Sequence, residues 1–350
     1  MSARMSGIFL GTGTLAMLAV AGGLQSSPAH SEDFYAGKTV SVLIGSRAGG
    51  SYDAYARLMS RHMGNHLPGR PTLVPKNMPG AAGTKVANHL YSLAPKDGTV
   101  LGATLNSIPI TALLRPKRAK YKVAEFNWIG TAASPANVLA VWHTAGVRSL
   151  EDAKKKELII GATTAGTTME MYPLMANRLF GTRFKVVLGY RGGKGVNLAM
   201  EQGEVQGRGS NSWLSYQFQN PDWIRDRKII PLFQMTLERA PALKDVPTLV
   251  EYAKTDEQRQ VVSLLATTET IGRSMMAPPG IPADRVALRR GAYAAALKDE
   301  KLVAEARKAK LALEPIPGEK LQALVESLGR VSDDVVAKIK AAVKSVGKKK

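Results

Sequence analysis

Short apolar runs rich in β-branched residues alternate along most of the chain with stretches whose apolar positions recur every three or four residues. That alternation is the pattern of an α/β architecture. Thr39-Val40-Ser41-Val42-Leu43-Ile44 reads as a strand, and Tyr52 to Gly64 as a helix with Tyr55, Leu58, Met59 and Met63 on one face. Further strands are predicted at Thr72 to Val74, Thr99 to Thr104, Trp128 to Thr131, Val138 to Trp142, Leu158 to Ala162, Phe184 to Leu188, Ile229 to Phe233 and Arg273 to Met276. From Ala283 onward the pattern is helical, over Val286 to Leu297, Leu302 to Lys310, Pro317 to Leu328 and Ser332 to Val343. No Pro-, Ser- or Gly-rich seam divides the chain near its middle, so interleaved domains fit better than two consecutive ones.

At 350 residues, 45% of them hydrophobic, the chain is long enough for two domains. It has no Cys, which removes disulfides, thiolate metal sites and cysteine nucleophiles from consideration. Arg4, the apolar stretch Ile8 to Leu24 and the small residues Ser27-Pro28-Ala29 read as a secretory signal cleaved after Ala29. The apolar stretch is short and interrupted for a membrane span. An exported protein is therefore expected; the sequence leaves the oligomeric state open, with a monomer as the default. Lys and Arg number 48 against 28 Asp and Glu, a formal charge of +20 that attracts anions. Export argues against nucleic acid as the partner, and Lys348-Lys349-Lys350 reads as a solvated helix end. Residues 32–150 carry 14 positive and 5 negative side chains, which makes the first part of the fold the more anion-attracting.

Chemistry concentrates in loops that follow strands. Gly45-Ser46-Arg47-Ala48-Gly49-Gly50-Ser51 runs from a strand into a helix, which is either an anion cradle of exposed amides or a tight turn with Ser51 as N-cap. Similar loops occur at Asn77 to Thr84, Gly161 to Thr168 and Gly189 to Gly195, and four of them suggest a cleft lined by helix N-termini. No loop has the G-x-x-x-x-G-K-[ST] spacing and no G-x-S-x-G elbow occurs. His62 and His66 stand at helical spacing without the Glu of H-E-x-x-H, so a surface pair is expected and no metal or other cofactor. Asp53 has no placed nucleophile or partner acid, which leaves a secreted hydrolase a weaker reading than a binding protein.

These loops resemble those of the Bug-type extracytoplasmic solute receptors of the tripartite tricarboxylate transporters. Gly45 to Asp53 resembles the PGGxxD loop, Asn77 to Gly83 the N-x-PGAGG loop and Ala94-Pro95-Lys96-Asp97-Gly98-Thr99 the A-x-PDG-x-T turn. The likeness continues through Tyr190-Arg191-Gly192-Gly193, Gly203-Glu204-Val205, Pro241 to Thr248 and Ala277 to Pro282. It implies a type 2 periplasmic-binding-protein fold, two α/β lobes that close on a ligand like a flytrap. Lobe one would be residues 32–135 plus 271–350 and lobe two 136–270. It also implies a small carboxylate ligand, held by amides, hydroxyls and waters, and delivery to the membrane permease subunits of such a transporter. A sensor's external domain is the alternative partner.

Carried over by position, Ser46, Ala48, Gly49, Gly50 and Ser51 match the first carboxylate loop, and Asp53 the acid that orients a water or a ligand amine. Asn106 and Ser107 match residues lining the cleft. Gly166, Thr167 and Thr168 match the second anion loop, and Tyr190 the aromatic of the Tyr-Gly-Gly turn. Glu170 falls where the family often has His, and Gln206 where it often has an acid. Arg208 either favours a second carboxylate or pairs with a nearby acid. Met169, Met171 and Trp213 are read as pocket lining or core.

Overall fold

The computed structural model describes residues 34–328 and 330–343, so the expected signal segment 1–29 and the terminal lysine run lie outside the described residues. Strand β1 (Thr39–Ile44) leads into helix α1 (Ser51–His62), followed by β2 (Thr72–Asn77), α2 (Thr84–Ser92), β3 (Val100–Ala103), α3 (Ile108–Leu114) and β4 (Asn127–Thr131). Next come β5 (Asn137–Trp142), α4 (Leu150–Lys155), β6 (Leu158–Gly161), α5 (Thr168–Phe180), β7 (Phe184–Val187) and α6 (Gly192–Glu201). They lead to β8 (Gly207–Ser212), α7 (Trp213–Gln219), α8 (Pro221–Arg225), β9 (Ile229–Gln234) and α9 (Asp256–Glu269). The chain ends through β10 (Ser274–Ala277), α10 (Ala283–Ala296), α11 (Glu300–Lys308), β11 (Ile316–Pro317), α12 (Gly318–Leu328) and α13 (Asp333–Ala342).

The strands form two sheets, ordered β11-β4-β10-β3-β1-β2 and β7-β6-β8-β5-β9. In the first, β2, β1 and β3 are parallel and β10 runs against β3 and β4. In the second, β7, β6 and β8 are parallel and β5 runs against β8 and β9. Helices cover both faces of the sheets, which is why β3 and β5 are buried at every residue and read as unbroken apolar runs. This is the two-lobed α/β architecture expected, with the chain passing between sheets after β4 and after α9. The two passing segments bind each other: the Ala132 amide donates to the Arg273 carbonyl (3.2 Å) and the Arg273 amide to the Ala133 carbonyl (2.8 Å).

Three features were not anticipated in the sequence reading. The last helix, α13, packs on α3 of residues 32–135 as well as on α9 and α5 of residues 136–270. Its apolar stripe Val336, Ile339, Ala342 has the helical spacing, and Ile339 and Ala342 share a core with Leu139 of β5 and Met175 of α5. Strand β8, at the centre of that sheet, was not predicted: Gly-Arg-Gly-Ser-Asn-Ser has no apolar run, yet all six residues are buried. Gly209 is required for space, since a Cβ there would lie 1.9 Å from the Met169 carbonyl oxygen; the first turn of α5 rests directly on the strand backbone. Finally, His62 is buried and not a surface residue. It bonds Glu305 (2.7 Å) while His66 bonds Asp299 (3.0 Å), and the two tie the end of α1 to α11.

Candidate functional site

In both sheets the Gly-, Ser- and Thr-rich loops leave the carboxyl ends of parallel strands, the edge where open α/β sheets hold ligands. Loops 45–50, 78–83 and 104–107 follow β1, β2 and β3, and loops 162–167 and 188–191 follow β6 and β7. The antiparallel pairings put the start of β10 and the start of β5 at the same edges, since Ser274 pairs with Thr131 and Asn137 with Ser212.

The first loop is braced from within. Helix α1 is capped at Gly50, with Ser51 as its first residue, so Ser51 is not the N-cap. The Gly49 amide, at φ +79°, donates to Asp53 Oδ2 (2.9 Å), a carboxylate reaching back from the first turn. Arg57 Nε (2.9 Å) and Asn77 Nδ2 (2.8 Å) donate to Asp53 Oδ1, and the same Asn77 group donates to the Ser46 carbonyl. Burial pushes the Asp53 carboxyl up, but the bonds from Arg57, the Gly49 amide and Asn77 outweigh it and hold the group below the ordinary carboxylate range. Asp53 therefore shapes the loop, while Ala48 and Gly49 stay exposed at its tip.

The loop after β6 repeats the device. The Gly166 amide, at φ +88°, donates to Glu170 Oε2 (2.6 Å), and Thr167 turns its hydroxyl to the Thr164 carbonyl (2.9 Å). Gly166 is buried against the first lobe, where a Cβ would lie 3.2 Å from the Arg115 guanidinium and 3.8 Å from Ala82. Thr168 donates to Ser210 Oγ of β8 (3.2 Å). Beside this contact a cavity of about 320 Å³ is lined by Thr111, Leu114 and Arg115, by Gly166, Glu170 and Met171, and by Lys340 and Val343 of the terminal segment.

A buried polar cluster joins the lobes behind the loops. Glu269, the last residue of α9, accepts from Asn106 Nδ2 (2.7 Å), from Asn137 Nδ2 and from the Tyr172 hydroxyl. Tyr52 in turn donates to Asn106 Oδ1 (2.7 Å). Burial pushes the Glu269 carboxyl up to about 7 against the opposing pull of the Asn137 bond, the Arg273 charge and the Asn106 bond. Arg273 lies over the Tyr52 ring, 4.5 Å from its centroid.

Of the other expected site residues, Ser107 is buried with its hydroxyl unpartnered among the described residues. Tyr190 donates to Glu204 (2.6 Å) within its own lobe, and burial together with that acid pushes its hydroxyl up to about 12. Arg208 is buried and meets no acid among the described residues: Nε donates to the Ser210 carbonyl (3.1 Å) and Nη1 to Asn197 Oδ1 (2.9 Å) and the Gly193 carbonyl (3.4 Å). Burial lowers its pKa, an effect Tyr216 opposes and Arg273 adds to. Met171 is core, whereas Met169 is half-buried. Trp213 packs edge-on to Tyr216 in the second lobe. Tyr52, Asn137, Tyr172, Glu269 and Arg273 were not singled out from the sequence; the one available signal was a Glu and an Arg framing the glycine between a helix and an apolar strand.

No protein-family model and no curated protein matches the sequence. Among solved structures the chain is similar to the periplasmic binding protein BugD, with a TM-score of 0.65 at 20% identity over 88% of this chain and 98% of that one. It is similar to MatC from Rhodopseudomonas palustris with bound malate (TM-score 0.64, 22% identity, 88% and 99% covered). A third likeness is to an R. palustris protein solved with adipate (TM-score 0.65, 20% identity, 87% and 97% covered). The chain has the fold of these periplasmic binding proteins.

Proposed function

We propose that this chain is a Bug-type periplasmic solute-binding protein that holds a small organic carboxylate between its lobes and delivers it to a tripartite tricarboxylate transporter. The observation that carries the reading is the pair of braced glycine loops, 45–50 and 162–167, at the carboxyl ends of strands in two different sheets. Each loop would present its remaining amides to a ligand from its own lobe, an arrangement suited to an anion with oxygens at both ends. Ser46, Ala48, Gly49, Gly50 and Ser51 would face the ligand from lobe one with Asn106 and Ser107, and Gly166, Thr167 and Thr168 from lobe two. Ligands of proteins with this fold, malate and adipate, are of the same chemical class. Binding rather than turnover fits the acids, since Asp53 and Glu170 are bonded to loop amides and not aligned with a nucleophile. Export with cleavage after Ala29, and a monomeric state, complete the proposal.

Thermal unfolding of the chain from His30 onward, against mono-, di-, tri- and aromatic carboxylates and amino acids, tests it. A ligand at 100 times its Kd adds about 2.7 kcal/mol, several degrees of midpoint in a protein this large. A rise with one carboxylate class is expected, and no rise with any carboxylate contradicts the proposal.

A further inference from the structure

Arg273 is a buried cation whose environment is unfinished among the described residues. It is 7% exposed, and its Nε and Nη1 have no hydrogen-bond partner among the described residues. A second buried arginine is better satisfied: Arg289 leaves Nη2 without a partner among the described residues but donates through Nε to the Tyr35 hydroxyl (3.0 Å) and through Nη1 to the Val100 carbonyl (3.4 Å). Burying a guanidinium without hydrogen bonds is strongly unfavourable, and the expense is normally recovered by an acid or a bound anion. The nearby acid does not serve: Glu269 lies close enough to feel the Arg273 charge, but its two oxygens accept from Asn106, Asn137 and Tyr172.

The position is that of a ligand group. Arg273 immediately precedes β10, at the sheet edge that carries loops 45–50 and 104–107. Its guanidinium lies over the ring of Tyr52, the second residue of α1, whose hydroxyl is fixed by Asn106. From lobe two, Arg208 is near enough for the two charges to repel, and it meets no acid among the described residues either.

We infer that the Arg273 guanidinium, lying over Tyr52, is the direct partner of a ligand carboxylate, and that with Arg208 behind it the site takes organic acids that carry no ammonium group. A planar guanidinium with unused donors matches a carboxylate bidentately, through Nη2 paired with either Nε or Nη1. A ligand ammonium would meet two cations at the same place. The inference rests on the solute-binding proposal and adds a side-chain anchor to loops that otherwise offer amides and hydroxyls.

Calorimetry of the purified protein with malate, succinate and adipate, and with the zwitterion aspartate, is the test. The wild type is expected to bind at least one of the three acids about tenfold or more tighter than aspartate. Arg273→Gln should weaken that binding roughly tenfold to a hundredfold, with near-ultraviolet circular dichroism unchanged. Arg273→Lys, which keeps the charge and loses the fork, should weaken it about tenfold, and this variant carries the test if Arg273→Gln does not fold. Wild-type binding that either folded variant retains within about threefold overturns the inference alone, as does aspartate binding as tightly as the acids. No binding of any of the three acids overturns it together with the proposal it rests on.

Discussion

Asp53 and Glu170 hold equivalent places in loops of opposite sheets. Each carboxylate reaches back four residues to the amide of a glycine with positive φ, Gly49 at 2.9 Å and Gly166 at 2.6 Å. In both cases the acid is the third residue of the helix that follows, where it also complements the positive helix end. The acids thus consume one amide of each loop and fix the conformation of the loop. The price is a negative charge near each cradle, which for Asp53 is offset by Arg57.

Removing the first brace should loosen its loop. Asp53→Ala removes the acceptor of the Gly49 amide and of Arg57 Nε and one of the two acceptors of Asn77 Nδ2, so a loss of roughly 1–3 kcal/mol in denaturant unfolding is expected. Carboxylate affinity should fall with it while the far-ultraviolet spectrum stays native. Stability and affinity both equal to wild type would refute the bracing role.

Gly209→Ala should be severe for a one-carbon change. The new methyl would sit 1.9 Å from the Met169 carbonyl, in backbone that cannot rotate away, so α5 must lift from β8. Overpacking of this kind destabilises by about 1–3 kcal/mol or more. Because loop 162–167 is carried on that helix, binding should weaken beyond what the stability loss alone explains. A melting temperature unchanged from wild type would show that the close approach is not needed.

Much of this arrangement is legible in sequence, and the rest is not for identifiable reasons. Strand β1 reads directly, because Thr39 to Ile44 is β-branched and apolar, and loops 45–50 and 162–167 announce themselves as Gly-rich breaks after such runs. Strand β8 stays hidden because its glycines serve close packing and its Arg208, Ser210 and Asn211 are buried by hydrogen bonding, so no apolar period marks it. The polar cluster is nearly as silent, with Asn106 alone singled out through the resemblance. Tyr52, Asn106, Asn137, Tyr172, Glu269 and Arg273 come from separate segments, and only the exchange of the chain between sheets brings them together.

Glu269 should give the protein a distinctive pH dependence. Folded, it holds its proton to about 7, whereas the unfolded chain releases it near the ordinary value of 4.5. Between those values folding retains a proton, so stability is greatest below the lower one, falls as pH rises toward about 7 and then levels off. The full effect is on the order of 3 kcal/mol. Glu269→Gln, which keeps an acceptor for Asn106 or Asn137, should flatten this slope in urea unfolding from pH 5 to 8. A wild-type slope persisting in the variant would assign the dependence to other groups.

The most direct test of the account is a crystal structure grown with whichever carboxylate raises the melting temperature most. The account predicts that carboxylate between the lobes, one end at the amides of loop 45–50 beside Arg273 and the other at loop 162–167. A ligand lodged only in the cavity between Arg115 and Lys340, or on one lobe with no contact to the other, would contradict it.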